Sequence, residues 1–477
     1  MIYRLSRFIP GAITRLLVAI MLKGAERHDY DASNRLLQQY DFIIVGSGTA
    51  GGVLAARLSE VAEWNVLLLE SGGPPPPESV IPALNIVLMQ SDAEWNYFTV
   101  PQKHGLRGYV NNACHFPVGR TLGGSSVVNW MMYVRGNRRD FDNWEAMGNP
   151  GWSYKDVLKY FKKAEDYRGD RSSATASYHG YGGPASVETK RWGTPIMNAI
   201  LKAGQQLGYQ IIDPNGPEQI GFSIPDLTQR DGRRGSTAEA YIRPAAARPN
   251  LHVAMNAHVT QPSSPSLLLY THKCLPARHR APSSHQPSNS SHQLFKQHYL
   301  PLIGQEGFTI GPMLTRPKSR GTIRLSSSNP KAAPLIDPNY LSHPDDVKTL
   351  IKGIRFSLTV GEAPALRVEH GARFHDKVLP GCESEVFGSD EYWACYTRFM
   401  AKTTFHPVGS CKMGPASDPY SVVDHTLKVR GVSGLRVVDG SIMPLITSGN
   451  TNAPVLMIGE KAADIIKQDW GIPTTTY

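Results

Sequence analysis

Gly46, Gly48 and Gly51, spaced Gly-x-Gly-x-x-Gly, carry the strongest chemical signal in this chain. Such a loop serves phosphate binding in a specific way. Its first glycine permits a tight turn, the second lets the backbone approach a pyrophosphate, and the third lets the following helix pack on the preceding strand. The N-terminus of that helix then offers free N–H groups and a positive dipole to an anion. Glu70 lies roughly 20 residues beyond Gly51, where a carboxylate can accept from ribose hydroxyls. These residues point to dinucleotide binding but do not separate FAD from NAD. A second run, Gly119 to Asn129, contains Thr121, Gly123, Gly124, Ser125 and Ser126. Taken alone it reads equally as a tight loop or as a cofactor clamp.

The flanking pattern supplies the elements that must position these residues. Tyr40–Val45 is a short apolar run rich in β-branched residues, as a buried parallel strand should be. Residues 50–60 turn to helical periodicity, and Asn65–Glu70 is a second apolar strand. Strand, helix and strand form a βαβ unit, so the fold class expected is α/β with a Rossmann-like nucleotide domain. Further strands are expected at Leu251–Met255 and Leu435–Asp439. Helices are expected from Ser153, with Val157, Leu158, Tyr160 and Phe161 on its apolar face, and from Pro454 to Lys467.

Composition narrows the function classes. The chain has 477 residues, 41% hydrophobic and 19% charged, with a net charge of +10, the composition of a globular protein and a length for two or more domains or one large α/β body with a second lobe. The basic excess forms no stripe, which argues against a nucleic-acid partner. Five cysteines, Cys114, Cys274, Cys382, Cys395 and Cys411, are too few for a disulfide scaffold and show no Cys-x-x-Cys spacing. Cys382 and Cys395 are near enough to staple a loop, though two buried thiols would look the same. Arg4 and Arg7 precede the apolar run Leu16–Leu22, which reads either as the core of a weak signal peptide, hence a secreted protein, or as an amphipathic leader. No segment has the length of a membrane span.

One stretch departs from the rest. Residues 261–305 are rich in Ser, Pro and His, lack Asp and Glu, and hold the chain's only N-x-S/T sequon, at Asn289. Composition reads as an unstructured loop or linker, yet a structureless run of that length is suspect inside a compact protein. His272, Cys274, His279, His285, His292 and His298 cluster there, but their spacings match no tetrahedral zinc pattern, so no metal site is expected.

At the level of whole motifs the chain resembles the glucose-methanol-choline (GMC) oxidoreductases. Gly119 through Asp142, with Asn129, Tyr133 and Gly136 at their spacings, is similar to the family's first signature. Thr403 to Gly414 is similar to its catalytic-histidine segment. Val438–Pro444 and Ser448–Pro454 are similar to its C-terminal flavin segment. Within the family the likeness is to insect-type, quinone-linked glucose dehydrogenases, and it runs from about Tyr40 to Gln261 and from about Phe308 to Trp470.

The resemblance implies FAD as cofactor and an alcohol or sugar as substrate. The substrate would lose its hydroxyl proton to a histidine and its carbinol hydride to flavin N5, with quinone or oxygen as the final acceptor. His406 falls at the family's base position, and an imidazole suits a base working near neutral pH. Asn450 falls at the partner position, where it can orient an alcohol oxygen but cannot relay a proton. Val259 matches a position contacting the adenine end of FAD, and Asp439 and Gly440 match residues beside the isoalloxazine and ribityl chain. Val128 stands where some members carry a flavin-tethering histidine, so FAD is expected to be non-covalent. An NAD enzyme would leave the C-terminal flavin segment without purpose.

The implied layout is a leader over 1–37, a discontinuous FAD-binding domain from 38–146, 236–262 and 402–470, and an α+β substrate-binding domain from 147–235 and 307–401. Residues 263–306 replace the strands and second signature that the family places after Thr260. The simplest account is a spliced-out or frame-shifted region. Lost strands expose an apolar sheet edge with unpaired backbone groups. Two readings follow: a working FAD-dependent alcohol or sugar oxidoreductase, and a defective family member that folds poorly, holds FAD weakly or serves only as a binding protein.

Overall fold

The computed structural model describes residues 31–33, 35–260 and 294–474. The signal-like run lies outside the described residues. So do Asn289, Cys274 and all of the clustered histidines except His298.

The first ordered unit follows the sequence pattern. β1 (Phe42–Val45) leads through the glycine loop into α1 (Thr49–Leu58), and β2 (Val66–Leu69) returns parallel to β1. β2 is apolar on both faces, and all four of its residues are buried. Each such side chain contributes about 1.5–3 kcal/mol by leaving water. β3 (Leu251–Ala254) pairs parallel with β2, Leu67 facing His252 and Leu69 facing Ala254. The resulting three-stranded sheet has the order β1–β2–β3.

Helices cover one face of this sheet. α2 (Arg138–Ala146), α3 (Tyr154–Ala164) and the C-terminal α6 (Asn452–Asp469) join α1 there. Val53, Leu54, Phe161, Leu456 and Ile458 share one core with Ile44, Leu68 and Val253. Gly459 allows α6 to lie against α1, since a Cβ there would come within 2.9 Å of Val53 Cβ. Beside that contact the fully buried carboxylate of Glu460 accepts from Arg57 Nε and Nη2 and from the Tyr241 hydroxyl. A buried carboxylate needs this many donors to offset its lost hydration.

The second face is only partly covered. Leu67, Leu69 and Ala254 lie beneath Leu36, Tyr40, Ala257 and Val259. Their neighbours on β1, Ile43 and Val45, are 41% and 61% exposed. Among the described residues no strand pairs with the free side of β1.

The strand expected at Leu435–Asp439 is not formed. Its one ladder contact is an isolated bridge between Arg436 and Lys428. Its backbone bonds go to a short turn-back over Leu427–Val429, where Val429 N–H donates to Leu435 O and Val437 N–H to Leu427 O, too short a pairing to make a ladder. It lines the same cleft as the bare edge of β1.

A second apolar cluster uses α4 (Pro344–Gly361) and α5 (Asp390–Met400), where Val347, Ile351, Tyr392 and Trp393 pack with Leu294 and Leu379. Cys382 and Cys395 are joined there by a disulfide with a Cα–Cα distance of 5.9 Å. No helix of the described residues is long and apolar enough to cross a membrane.

Candidate active site

The two glycine runs meet face to face. Gly46 adopts φ +91°, and a Cβ on Gly51 would lie 2.0 Å from Gly46 O, so only glycine closes this turn. A Cβ on Gly124 would lie 2.7 Å from Gly48 Cα, which brings the second run onto the first. Ser47 bridges them: its hydroxyl donates to Glu70 Oε2 at 2.6 Å and accepts from Gly123 N–H at 3.1 Å. Glu70 also accepts from the N–H of Ser47 and of Gly72. Three of its roughly four acceptor positions therefore hold the loop itself, leaving about one for a ligand. Thr121 is anchored by its hydroxyl to Gly73 O. α1 begins at Gly48 with no side-chain cap and no acidic residue in its first turn. Its N–H groups are thus left to whatever anion the loop holds.

His406 and Asn450 come together across 44 residues of chain. Asn450 Nδ2 lies 3.1 Å from His406 Nε2, and His406 Nδ1 lies 3.2 Å from the Thr404 hydroxyl. With the amide donating to Nε2, the ring proton sits on Nδ1 and donates to Thr404, so Nε2 is the basic nitrogen. Burial lowers the imidazole pKa below its ordinary 6.5, which keeps the ring neutral at pH 7. Phe405, just before it, takes φ +67°, a strained conformation for an aromatic residue of the kind concentrated at functional sites.

A hub that sequence reasoning missed sets the Asn450 segment. Asp140, buried in α2, accepts from the N–H and hydroxyl of Ser448 and from Arg316. It also accepts from Asn137 N–H in a capping box that starts α2. The capping pattern was visible in the sequence, but the link to Ser448 was not.

Asn129 lines the cleft and is clamped from behind. Its Oδ1 accepts from Met131 N–H at 2.9 Å and from Arg234 Nη1 at 2.9 Å. Arg234, another residue the sequence did not single out, is 4% exposed and donates to the carbonyls of Ser79, Ser126 and Asn129. Burial pulls its pKa down to about 10, and its Nη2 has no hydrogen-bond partner among the described residues. Val128 is buried against Leu88, Ala93 and Val127. Asp439 Oδ1 accepts from the Ser441 N–H and starts a short turn at Gly440. Val259 lies beyond β3, packed against the sheet.

The edge of β1, the glycine loop, Asn129, His406, Asp439 and Asn450 all line one cleft of about 4380 Å³. Small-molecule sites commonly measure about 300–1,000 Å³, so this space exceeds one ligand and includes the gap beside β1. No group of three or more His, Cys, Asp or Glu among the described residues could hold a metal. Of the clustered histidines, His298 packs edge-on to His375 at 5.1 Å between ring centroids. A dinucleotide fits the donor set better than a metal does: bare glycine backbone, an uncapped helix start and the Asn129 amide facing the cleft.

These features define an α/β protein with a nucleotide loop and a histidine–asparagine pair sharing one cleft. The chain belongs to the GMC oxidoreductase family, whose N-terminal domain matches residues 40–263 and C-terminal domain residues 317–459. It is 35% identical to glucose dehydrogenase [FAD, quinone] of Drosophila melanogaster, over 91% of this chain and 87% of that one. It is 31% identical to alcohol dehydrogenase [acceptor] of Pseudomonas putida, over 90% and 95% respectively. Among solved structures it is similar to pyridoxine 4-oxidase from Mesorbium loti, with 27% identity and a TM-score of 0.73 over 89% of this chain and 99% of that one. The match to the Drosophila protein runs over 548 positions, more than the 477 residues of the whole chain. The relative thus carries residues with no counterpart here, in keeping with the bare edge of β1.

Proposed function

We propose that this chain is an FAD-dependent oxidoreductase acting on the CH–OH group of an alcohol or sugar. The observation that carries the reading is the contact of His406 with Asn450 on the cleft that the glycine loop also lines. The loop at Gly46, Gly48 and Gly51 and the start of α1 receive the pyrophosphate, and Glu70 holds the loop in shape. Thr121, Gly123, Gly124, Asn129, Asp439 and Gly440 frame the ring and ribityl chain, and Val259 the adenine end. Bound FAD supplies a two-electron acceptor for the hydride that leaves the carbinol carbon. His406 Nε2 takes the hydroxyl proton as the C=O bond forms, and Asn450 orients the alcohol oxygen by hydrogen bonding. Val128 offers no nucleophile, so FAD is held non-covalently. Quinone or oxygen takes the electrons in the second half-reaction. The Cys382–Cys395 disulfide supports a secreted or extracellular location.

The open edge of β1 favours a second reading, a family member that binds FAD weakly and turns over poorly. One experiment separates the two. Purified protein is titrated with FAD, and the complex is mixed anaerobically with glucose and with a panel of primary alcohols. Stoichiometric binding followed by bleaching of the flavin absorbance supports the enzyme. Binding without bleaching, or no binding, overturns it in favour of the second reading. Flavin that stays on the denatured polypeptide overturns the non-covalent assignment.

A further inference from the structure

Asn129 can point its amide in one sense only. Its Oδ1 accepts from Met131 N–H and from Arg234 Nη1, two groups that donate and cannot accept. A flipped amide would set Nδ2 hydrogens against both, losing two hydrogen bonds and burying donors against donors. The two Nδ2 hydrogens have no partner among the described residues and are left for the cleft that Asn129 lines. Arg234 is well suited to hold this arrangement. A guanidinium has no acceptor, so it cannot exchange roles with the amide as a hydroxyl could, and its fork also grips Ser126 O and Asn129 O. The cation is 4% exposed and no carboxylate pairs with it among the described residues. Burying an uncompensated charge is costly, so a residue kept there serves a role that neutral packing would not.

We propose that Arg234 is a positioning residue that fixes the Asn129 amide as a hydrogen-bond donor to an acceptor atom of the flavin ring, a nitrogen or carbonyl oxygen of the isoalloxazine. This rests on the reading that the cleft holds FAD. Arg234 does not itself line the cleft; it acts through Asn129. A donor to the ring strengthens as electrons arrive, so it tightens FAD and makes the ring easier to reduce.

The test uses Arg234→Gln, whose amide can accept as well as donate and so no longer fixes Asn129, with Asn129→Asp and the double variant in the full chain. The carboxylate that N129D introduces is nearly isosteric with the amide and still accepts from Arg234 and Met131, but has no N–H to offer. The apoprotein is melted first. N129D should melt higher than wild type, because the buried guanidinium gains a carboxylate; a lower melting temperature overturns the placement without any appeal to FAD. FAD affinity is then read by flavin fluorescence quenching, and the midpoint potential by dye equilibration. Each single variant should weaken FAD by about tenfold, the worth of one hydrogen bond to a buried acceptor, and shift the potential to more negative values. R234Q/N129D should be no weaker than N129D alone, since the fixed donor is already lost in each single variant. Wild-type affinity and potential in R234Q, or additive losses in the double variant, overturn the proposal. Failure of wild type to bind FAD is a different result and refutes the reading of the cleft, while the apoprotein melts still decide the clamp.

Discussion

Val45 stands directly across the sheet from Leu69, yet Leu69 is buried and Val45 is 61% exposed. The two side chains share a face, and only the covering differs. Among the described residues β2 has a neighbour on each side, whereas β1 has one. An apolar strand with a free edge is a template for association with other chains. Replacing Ile43 and Val45 by Thr keeps β-branching at both positions and removes apolar surface from water. The double variant should therefore change stability by no more than about 0.5 kcal/mol, as for ordinary surface positions. Its self-association, read by light scattering at increasing concentration, should fall. A strongly destabilised variant would show that these residues are covered.

His406 offers the most direct test of the chemistry. A positioned general base contributes about 10²–10⁴-fold to rate. His406→Ala should lower the rate of flavin reduction by alcohol within that range while FAD affinity changes little, because the glycine loops are untouched. Stopped-flow bleaching of pre-bound flavin isolates this step from binding. Reduction at the wild-type rate would exclude His406 as the base.

The pH dependence follows from the state of the same ring. Burial holds the His406 pKa below 6.5, and the neutral ring is the active form. kcat/KM should therefore rise with pH along a limb whose midpoint lies below 6.5 and level off above it. Asn450→Asp places a carboxylate against Nε2, which favours the imidazolium. That variant should move the limb to higher pH. A limb that stays in place in the Asn450→Asp variant would mean the two groups do not share the reacting site.

The β1–α1–β2 unit was legible because its signals are local: two apolar runs, a glycine spacing and a change of period within one short stretch. β3 was legible for the same reason. Leu435–Asp439 was not, although its composition is that of a strand, because a strand is completed by a neighbour that composition cannot guarantee. The site divides in the same way. His406 and Asn450 stood out through motif resemblance, and the structure brings them into contact. The Arg234 clamp on Asn129 spans 105 residues and the Asp140 hold on Ser448 spans 308, and neither partner carries a local mark of the pairing.

His179 shows how far such a hidden cluster can govern stability. Its ring, 1% exposed, lies between Glu165 and Asp213, at 3.0 Å from Nδ1 and 2.8 Å from Nε2, and stacks on Tyr167. Burial opposes its charge, but the bonds to Asp213 and Glu165 prevail and raise its pKa to about 9. Burial likewise works to raise the Asp213 pKa, but the hydrogen bonds from His179, Asn215 N–H and Thr175 together outweigh it and hold that pKa below the usual 3.8. The unfolded histidine titrates near 6.5. Its stabilising effect is therefore complete below pH 6.5 and is lost as pH rises through about 9, while that of Asp213 is lost as pH falls below 3.8. His179→Gln leaves Asp213 without its cation, while Glu165 keeps Arg135, and should cost about 3–5 kcal/mol, the usual result of breaking a buried pair. The variant should also flatten the decline of melting temperature between pH 6.5 and 9. Melts at several pH values check both, and a variant that keeps the wild-type slope would show that another group titrates in that window.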